Sequence, residues 1–88
     1  MVKLYAKPAL RKAILDASEE KVDFSKAARE WHVSGMREDE SLSQSCICGQ
    51  HHLRYLFKIE NDLNHKELKY IGSKCIHKFE HPKMWYRS

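Results

Sequence analysis

The spacing of apolar residues changes partway along the chain, from a helical repeat to a strand repeat. Leu10, Ala13, Ile14 and Ala17 recur at i, i+3, i+4 and i+7 behind Pro8, so the spacing predicts an amphipathic helix from about residue 8 to residue 20. Arg11, Lys12, Asp16 and Glu20 fall on its solvated side. Asp23 or Ser25 can cap a second, shorter helix on which Phe24, Ala27, Ala28 and Trp31 share a face. Trp31-His32-Val33 reads as an edge strand, with Trp31 a core anchor and His32 solvated. Arg37 to Ser45 is polar, acidic and without period, and reads as a connecting loop.

From Leu53 the period is two: Leu53, Tyr55, Phe57 and Ile59 face one way, and Arg54, Leu56, Lys58 and Glu60 the other. Turn formers follow from Asn61 to Lys66, and Glu67 to Ile71 gives a second strand with Leu68 and Tyr70 on the core side, so a hairpin is predicted. Gly72 ends it, Ser73 is a good N-cap for a helix from Lys74 to about Glu80, and Ile76 and Phe79 can close over the hairpin. Pro82 stops that helix, and the aromatic, basic tail that follows packs back or stays free. His65 and His81 are expected to be exposed.

A chain of 88 residues buries only roughly 60 to 65% of its unfolded surface, which makes the hydrophobic core marginal and a staple expected. Three cysteines are an odd count, which argues against a closed disulfide framework. Clustered with histidines in a chain that opens without an apolar leader, they read as metal ligands in a reducing compartment. No stretch approaches the ~18 apolar residues of a membrane span, so a cytoplasmic protein without membrane contact is expected. The formal net charge is +4. Residues 1–40 carry eight Lys/Arg against eight Asp/Glu, and residues 41–88 carry eight against four, so the whole excess lies in the cysteine half.

That half holds the chemistry. Cys46 and Cys48 flank a knuckle that turns at Gly49, His51 and His52 follow, and Cys75 falls in the first turn of the last predicted helix. A structural zinc ion takes four such ligands in a tetrahedron, with sulfur at about 2.3 Å and imidazole nitrogen at about 2.0 to 2.1 Å. At a helix start the dipole is expected to favour the Cys75 thiolate. For the fourth ligand, strand parity running back from Leu53 points to His51, and His77 is a further candidate. The expected architecture is α+β within a single domain, residues 1–88. It comprises a helical cap (1–36), a loop (37–45), a treble-clef-like zinc-binding module of knuckle, hairpin and helix (46–81), and a tail (82–88). One structural Zn²⁺ is expected.

The run Cys46-Ile47-Cys48-Gly49-Gln50-His51-His52-Leu53-Arg54-Tyr55, with Phe57, Ile59, Asn61, Ile71-Gly72-Ser73, Cys75-Ile76 and Phe79, resembles a pattern of small, largely uncharacterised zinc-binding proteins of Gram-positive bacteria, their phages and mobile elements. An upstream Glu30-Trp31 also fits. The resemblance implies His52 as the fourth ligand, beside Cys46, Cys48 and Cys75. It carries no activity with it. The chain departs from the pattern at Tyr70, where proline is usual, and at His65, where the hairpin turn usually has glycine.

Three functions fit the residues. A non-enzymatic nucleic-acid-binding module, on DNA or RNA, would use the basic residues Arg54, Lys58 and Lys69, with Lys74 and Lys78 nearby, and Tyr55, Tyr70 and Trp85 as stacking groups. A protein-interaction module docking on a host enzyme would use the acidic loop or the aromatic tail. A metal-finger nuclease would need His51 or His52, Asn61 and His77 around a catalytic metal, which a closed Cys₃His set does not leave free. The first is the expected function, in a monomer.

Overall fold

In the computed structural model, residues 4–85 are described. Helix α1 (Pro8–Ala17) is followed by α2 (Phe24–Ala28), strands β1 (Trp31–Glu38), β2 (Tyr55–Asn61) and β3 (Glu67–Ile71), and helix α3 (Ser73–Lys78). The strands form one antiparallel sheet in the order β1-β2-β3, giving a small α+β fold. No helix of the described residues is long and apolar enough to cross a membrane.

α1 ends at residue 17, before the predicted limit, because Ser18 leaves helical geometry. The buried Ser18 hydroxyl donates to the Ile14 carbonyl at 2.6 Å and accepts from the Trp31 indole N–H at 2.7 Å. Asp23 caps α2 as expected, its carboxylate accepting from the Lys26 N–H. The buried face of α1, Leu10 and Ile14, joins Phe24, Ala27, Trp31, Ile59, Ile76 and Phe79 in a continuous core. Phe24 and Phe79 meet edge to face with centroids 6.4 Å apart, linking α2 to the residue that ends α3. Fully burying each large apolar side chain contributes about 1.5 to 3 kcal/mol, which is why these positions fix where the helices sit.

A second, polar set of contacts ties the helices to the hairpin. The Glu30 carboxylate accepts from the backbone N–H of Glu19 and of Glu20 at 2.8 Å each, and from the Asn61 amide at 2.9 Å. Asn61 is fully buried, and its carbonyl oxygen accepts from the N–H of Leu63 and of Asn64, building the β2–β3 turn. Within that turn His65 has φ +62°, the left-handed conformation that explains why glycine suits the position.

Several expectations are corrected. β1 is longer than Trp31–Val33 and takes in Arg37 and Glu38, which pair with Leu56 and Tyr55 of β2, so the loop begins later than Arg37. α3 begins at Ser73 with Gly72 as its N-cap and ends at Lys78, and no side chain caps it. His81 is buried: its Nε2 lies 2.6 Å from the Trp31 carbonyl, and its Nδ1 accepts from the Lys83 N–H. The tail packs back as far as it is described, with Met84 buried, its carbonyl accepting from the Val33 N–H, and Trp85 edge-on to Phe57. Residues 86–88 of the predicted tail lie outside the described residues.

The alternation in the hairpin also differs from the predicted one. Phe57, Ile59 and Asn61 are buried as parity requires, but Tyr55 is 43% exposed and Leu56, assigned to the outer face, is 1% exposed. Tyr55 stands at the end of the sheet opposite Glu38, beyond the reach of the core. Leu56 is covered through a β-bulge: Lys58 pairs with Lys69 and Phe57 with Ile71, which leaves Tyr70 as an extra residue. Its hydroxyl accepts from Arg37 Nη2 at 3.3 Å. β1 and β3 stand on either side of β2, about 10 Å apart at ordinary strand spacing, so the Arg37 and Tyr70 side chains together span β2 near Arg37's partner, Leu56. Tyr70, half-buried and packed against the cluster that contains Leu56, therefore shares the outer face with Arg37.

Candidate metal centre

The knuckle is built by backbone hydrogen bonds before any metal is considered. The Gly49 N–H donates to the Cys46 carbonyl at 2.9 Å, closing a turn in which Gly49 takes φ +101°, and the Cys46 N–H donates to the Gln50 carbonyl at 2.8 Å. Ile47 N–H donates to the Tyr70 carbonyl at 3.0 Å, which fastens the knuckle to the end of β3. One residue later Gly72 passes close beneath it: a Cβ there would sit 3.0 Å from Leu53 Cδ2 and 4.0 Å from Cys46 Cβ. That close approach brings the start of α3, and with it Cys75, against the knuckle.

The result is a group of three sulfurs, Cys46, Cys48 and Cys75, whose Sγ atoms all lie within 4.8 Å of one another. Cys46 and Cys75 are buried, Cys48 is half-buried, and none is in a disulfide. Cys75 Sγ lies 3.2 Å from Cys48 Sγ. In a tetrahedron with metal–sulfur bonds of about 2.3 Å the sulfurs stand about 3.8 Å apart, so small side-chain rotations make the trio fit one ion. The Cys48 N–H points at Cys46 Sγ at 3.4 Å, the Gly72 N–H also reaches Cys46, and the Gln50 N–H reaches Cys48. Backbone amides directed at sulfur are the outer partners that thiolate ligands take.

Electrostatics without a cation oppose this arrangement. Burial pushes the Cys46 thiol up, and burial together with the hydrogen-bonded Cys48 and the nearby Cys46 pushes Cys75 up to about 12. The favourable effect expected for Cys75 at a helix start is thus outweighed. For Cys48 burial also works against the thiolate, but the Gln50 N–H, the two other thiols and the Lys7 ammonium outweigh it and hold its thiol below the ordinary value. Three sulfurs gathered where most resist ionising are what a divalent cation would convert to thiolates, with release of protons.

The histidines lie outside this trio. His51 Nδ1 is 2.9 Å from the Ser45 hydroxyl, and His77 Nδ1 is 3.2 Å from Glu80. His52 has φ +61°, and its Nδ1 lies 3.2 Å from the Leu42 carbonyl. A carbonyl only accepts, so Nδ1 carries the proton and Nε2 the lone pair. His52 also lines a cavity of about 120 Å³ together with Gln50, Leu53, Gly72, Ser73 and Lys74, between the knuckle and the first turn of α3. Asn61, which a nuclease would need beside these histidines, is at the far end of β2 and is held by Glu30 and the turn.

The basic residues do not form one row. Lys58 and Lys69 are cross-strand partners on the outer face, with Lys58 Nζ 3.7 Å from Glu67. Arg54 is paired with Glu38 through two nitrogens, at 2.7 and 2.8 Å. Lys74 lines the His52 cavity, and Lys78 sits over the Tyr5 ring on another side of the molecule. Arg37 joins Lys58 and Lys69 on the outer face and was missed by sequence reasoning. Its stretch, Ser34-Gly35-Met36-Arg37, has weak strand propensity, and pairing with β2 is what draws it into the sheet. No protein-family model, curated protein or solved structure matches the chain significantly.

Proposed function

We propose that this chain is a non-enzymatic structural-zinc module of treble-clef-like order that presents its sheet to nucleic acid. The observation that carries the reading is the convergence of Cys46, Cys48 and Cys75, from a knuckle and a helix 27 residues apart, on one point. Zn²⁺ fits sulfur ligands in this number, and His52, which lies outside the trio, would turn inward to supply Nε2 as the fourth ligand. Its Nδ1–H bond to a backbone carbonyl is the second-sphere contact that ligating histidines take, and its cavity adjoins the start of α3. When bound, the ion would supply charge neutralisation and a cross-link between the knuckle and α3. Four protein ligands leave no position for a substrate, which is why the module is assigned a binding role.

The nucleic-acid part rests on the confinement of the positive excess to residues 41–88 and on the pairing of Lys58 with Lys69 on an outer sheet face to which Arg37 adds a third cation. Native mass spectrometry should find one zinc per chain. X-ray absorption on that species should give three sulfurs near 2.3 Å and one nitrogen near 2.0 to 2.1 Å. Fewer than three sulfurs, or no retained zinc, would end the metal reading. Binding to nucleic acid should weaken steeply with added salt.

A further inference from the structure

The outer face of the sheet carries an arrangement that a merely solvated surface does not need. Tyr70 is the extra residue of the β3 bulge and is hydrogen-bonded to Arg37. The Arg37 guanidinium lies over its ring, 5.5 Å from the centroid, and the Lys69 ammonium lies over it at 5.9 Å. Lys58 is opposite Lys69. Three strands thus each contribute one cation, β1 through Arg37, β2 through Lys58 and β3 through Lys69, around a single aromatic side chain that lies over the sheet. Gly35 adds no bulk beside them: a Cβ at that position would meet only Lys58 Cε, at 3.6 Å. The acidic groups near these cations are Glu67, 3.7 Å from Lys58, its cross-strand partner Glu60 on the same face, and Glu38, which is occupied by Arg54. The face keeps a net positive charge. Tyr70 is also tied to the metal end, since its carbonyl accepts from Ile47 in the knuckle.

We infer that this face binds single-stranded nucleic acid, with Tyr70 as the stacking platform for one base and Arg37, Lys58 and Lys69 as contacts to the flanking phosphates. The inference rests on the nucleic-acid reading above and narrows it to a strand class and a set of residues. A base would take the place of a cation over the Tyr70 ring, and only an unpaired base can do so, since a duplex keeps its bases stacked on each other. The displaced Arg37 and Lys69, with Lys58 opposite Lys69, would then meet the phosphates that flank that base.

The test uses the full-length, zinc-loaded protein with fluorescein-labelled dT12, U12 and a mixed-sequence 12-base-pair DNA duplex. The single strands should bind more tightly than the duplex, and comparison of dT12 with U12 separates DNA from RNA. Three phosphate contacts should give a slope of log affinity against log salt of about −2 on dT12, and Arg37→Gln, Lys58→Gln or Lys69→Gln should each reduce its magnitude by about 0.7. Tyr70→Leu, which keeps an apolar side chain against the core, should weaken single-strand binding about tenfold or more, while Tyr70→Phe, which keeps the ring, should stay within about threefold. Melting curves and native mass spectra establish that each variant is folded and zinc-loaded. If folded Tyr70→Leu binds dT12 and U12 as well as the parent, the inference is overturned. Duplex bound as tightly as single strands would also overturn it, leaving the broader nucleic-acid reading standing. No binding to any of the three at low salt removes both.

Discussion

The two ends of β2 are held by different chemistry. At the Asn61 end, the Glu30 carboxylate, the Asn61 amide, the Ser18 hydroxyl and the Trp31 indole satisfy one another and the backbone of two turns, above a core of fully buried side chains. At the other end, beyond Tyr55, a knuckle and a helix start meet through three thiols, two of them buried and resistant to ionising. One end closes with hydrogen bonds the chain supplies itself. The other brings three sulfurs together where two of them resist ionising, a set that a cation would stabilise. On the proposed zinc reading, a single short strand couples a hydrogen-bonded half to one that needs its metal.

Metal removal should have the largest effect. Structural zinc contributes apparent free energies of about 10 to 16 kcal/mol in finger peptides, as large as the whole stability of an ordinary domain. Chelation, or Cys75→Ser, should therefore collapse the amide dispersion of residues 44–58 and 70–78 in NMR spectra, while the Trp31 indole N–H signal survives longest. Full dispersion in metal-stripped protein would refute the metal dependence. At the other end Asn61→Ala removes a buried partner from Glu30 and from two turn N–H groups, and should cost about 3 kcal/mol in urea melts. Zinc stoichiometry should not change. A variant that lost its zinc as well would show that the two ends are not separable.

Glu30 gives the self-sufficient end a pH signature. Burial pushes its carboxyl up, but the Asn61 amide and the Glu19 and Glu20 N–H groups outweigh this and hold it below the ordinary carboxylate value. A group whose pKa is lower when folded binds its proton more weakly in the folded state, so its contribution is complete above the unfolded value near pH 4.5 and is lost as pH falls through the folded one. Zinc thiolates also protonate in acid, so the informative quantity is a difference. The stability gap between the parent and Glu30→Gln should narrow from pH 7 to pH 4. A gap that stays constant would deny Glu30 its charged role.

Much of the fold was legible where one local signal decided the outcome. The i, i+4 spacing behind Pro8, a cap at Asp23, one of the two candidates, and the turn after Asn61 read correctly, because short-range sterics and hydrogen bonds fix them. So did the convergence of the three cysteines, since knuckle, hairpin and helix leave few other ways to fold back. What was not legible depended on a partner far along the chain. β1 extends to Glu38 only because β2 offers it a ladder, and Tyr70 reaches the outer face only because of a bulge that no alternation rule contains. Glu30 stood out in the sequence pattern without a role, and Trp31 and Asn61 only as a core anchor and a turn former; the contacts of Glu30 with Glu19, Glu20 and Asn61 and of Trp31 with Ser18 add the polar tie.

Two histidines sharpen the comparison at the smallest scale. His65 at the turn end and His52 at the knuckle end have nearly the same left-handed φ, +62° and +61°. That conformation costs a non-glycine residue about 1 to 2 kcal/mol, part of which glycine would return to the unfolded chain as entropy. His65 is mostly exposed and makes only a 3.3 Å contact with Glu60, so His65→Gly should raise stability by about 0.5 to 1 kcal/mol. His52→Gly relieves the same strain, yet it should lower zinc affinity by tenfold or more in a competition with a chromogenic chelator, because the fourth ligand goes with the side chain. Opposite signs from the same substitution at the same φ would separate a turn that tolerates histidine from a site that uses it. If His52→Gly holds zinc as tightly as the parent, the fourth coordination position belongs to something else, and the knuckle end is held by its three sulfurs alone.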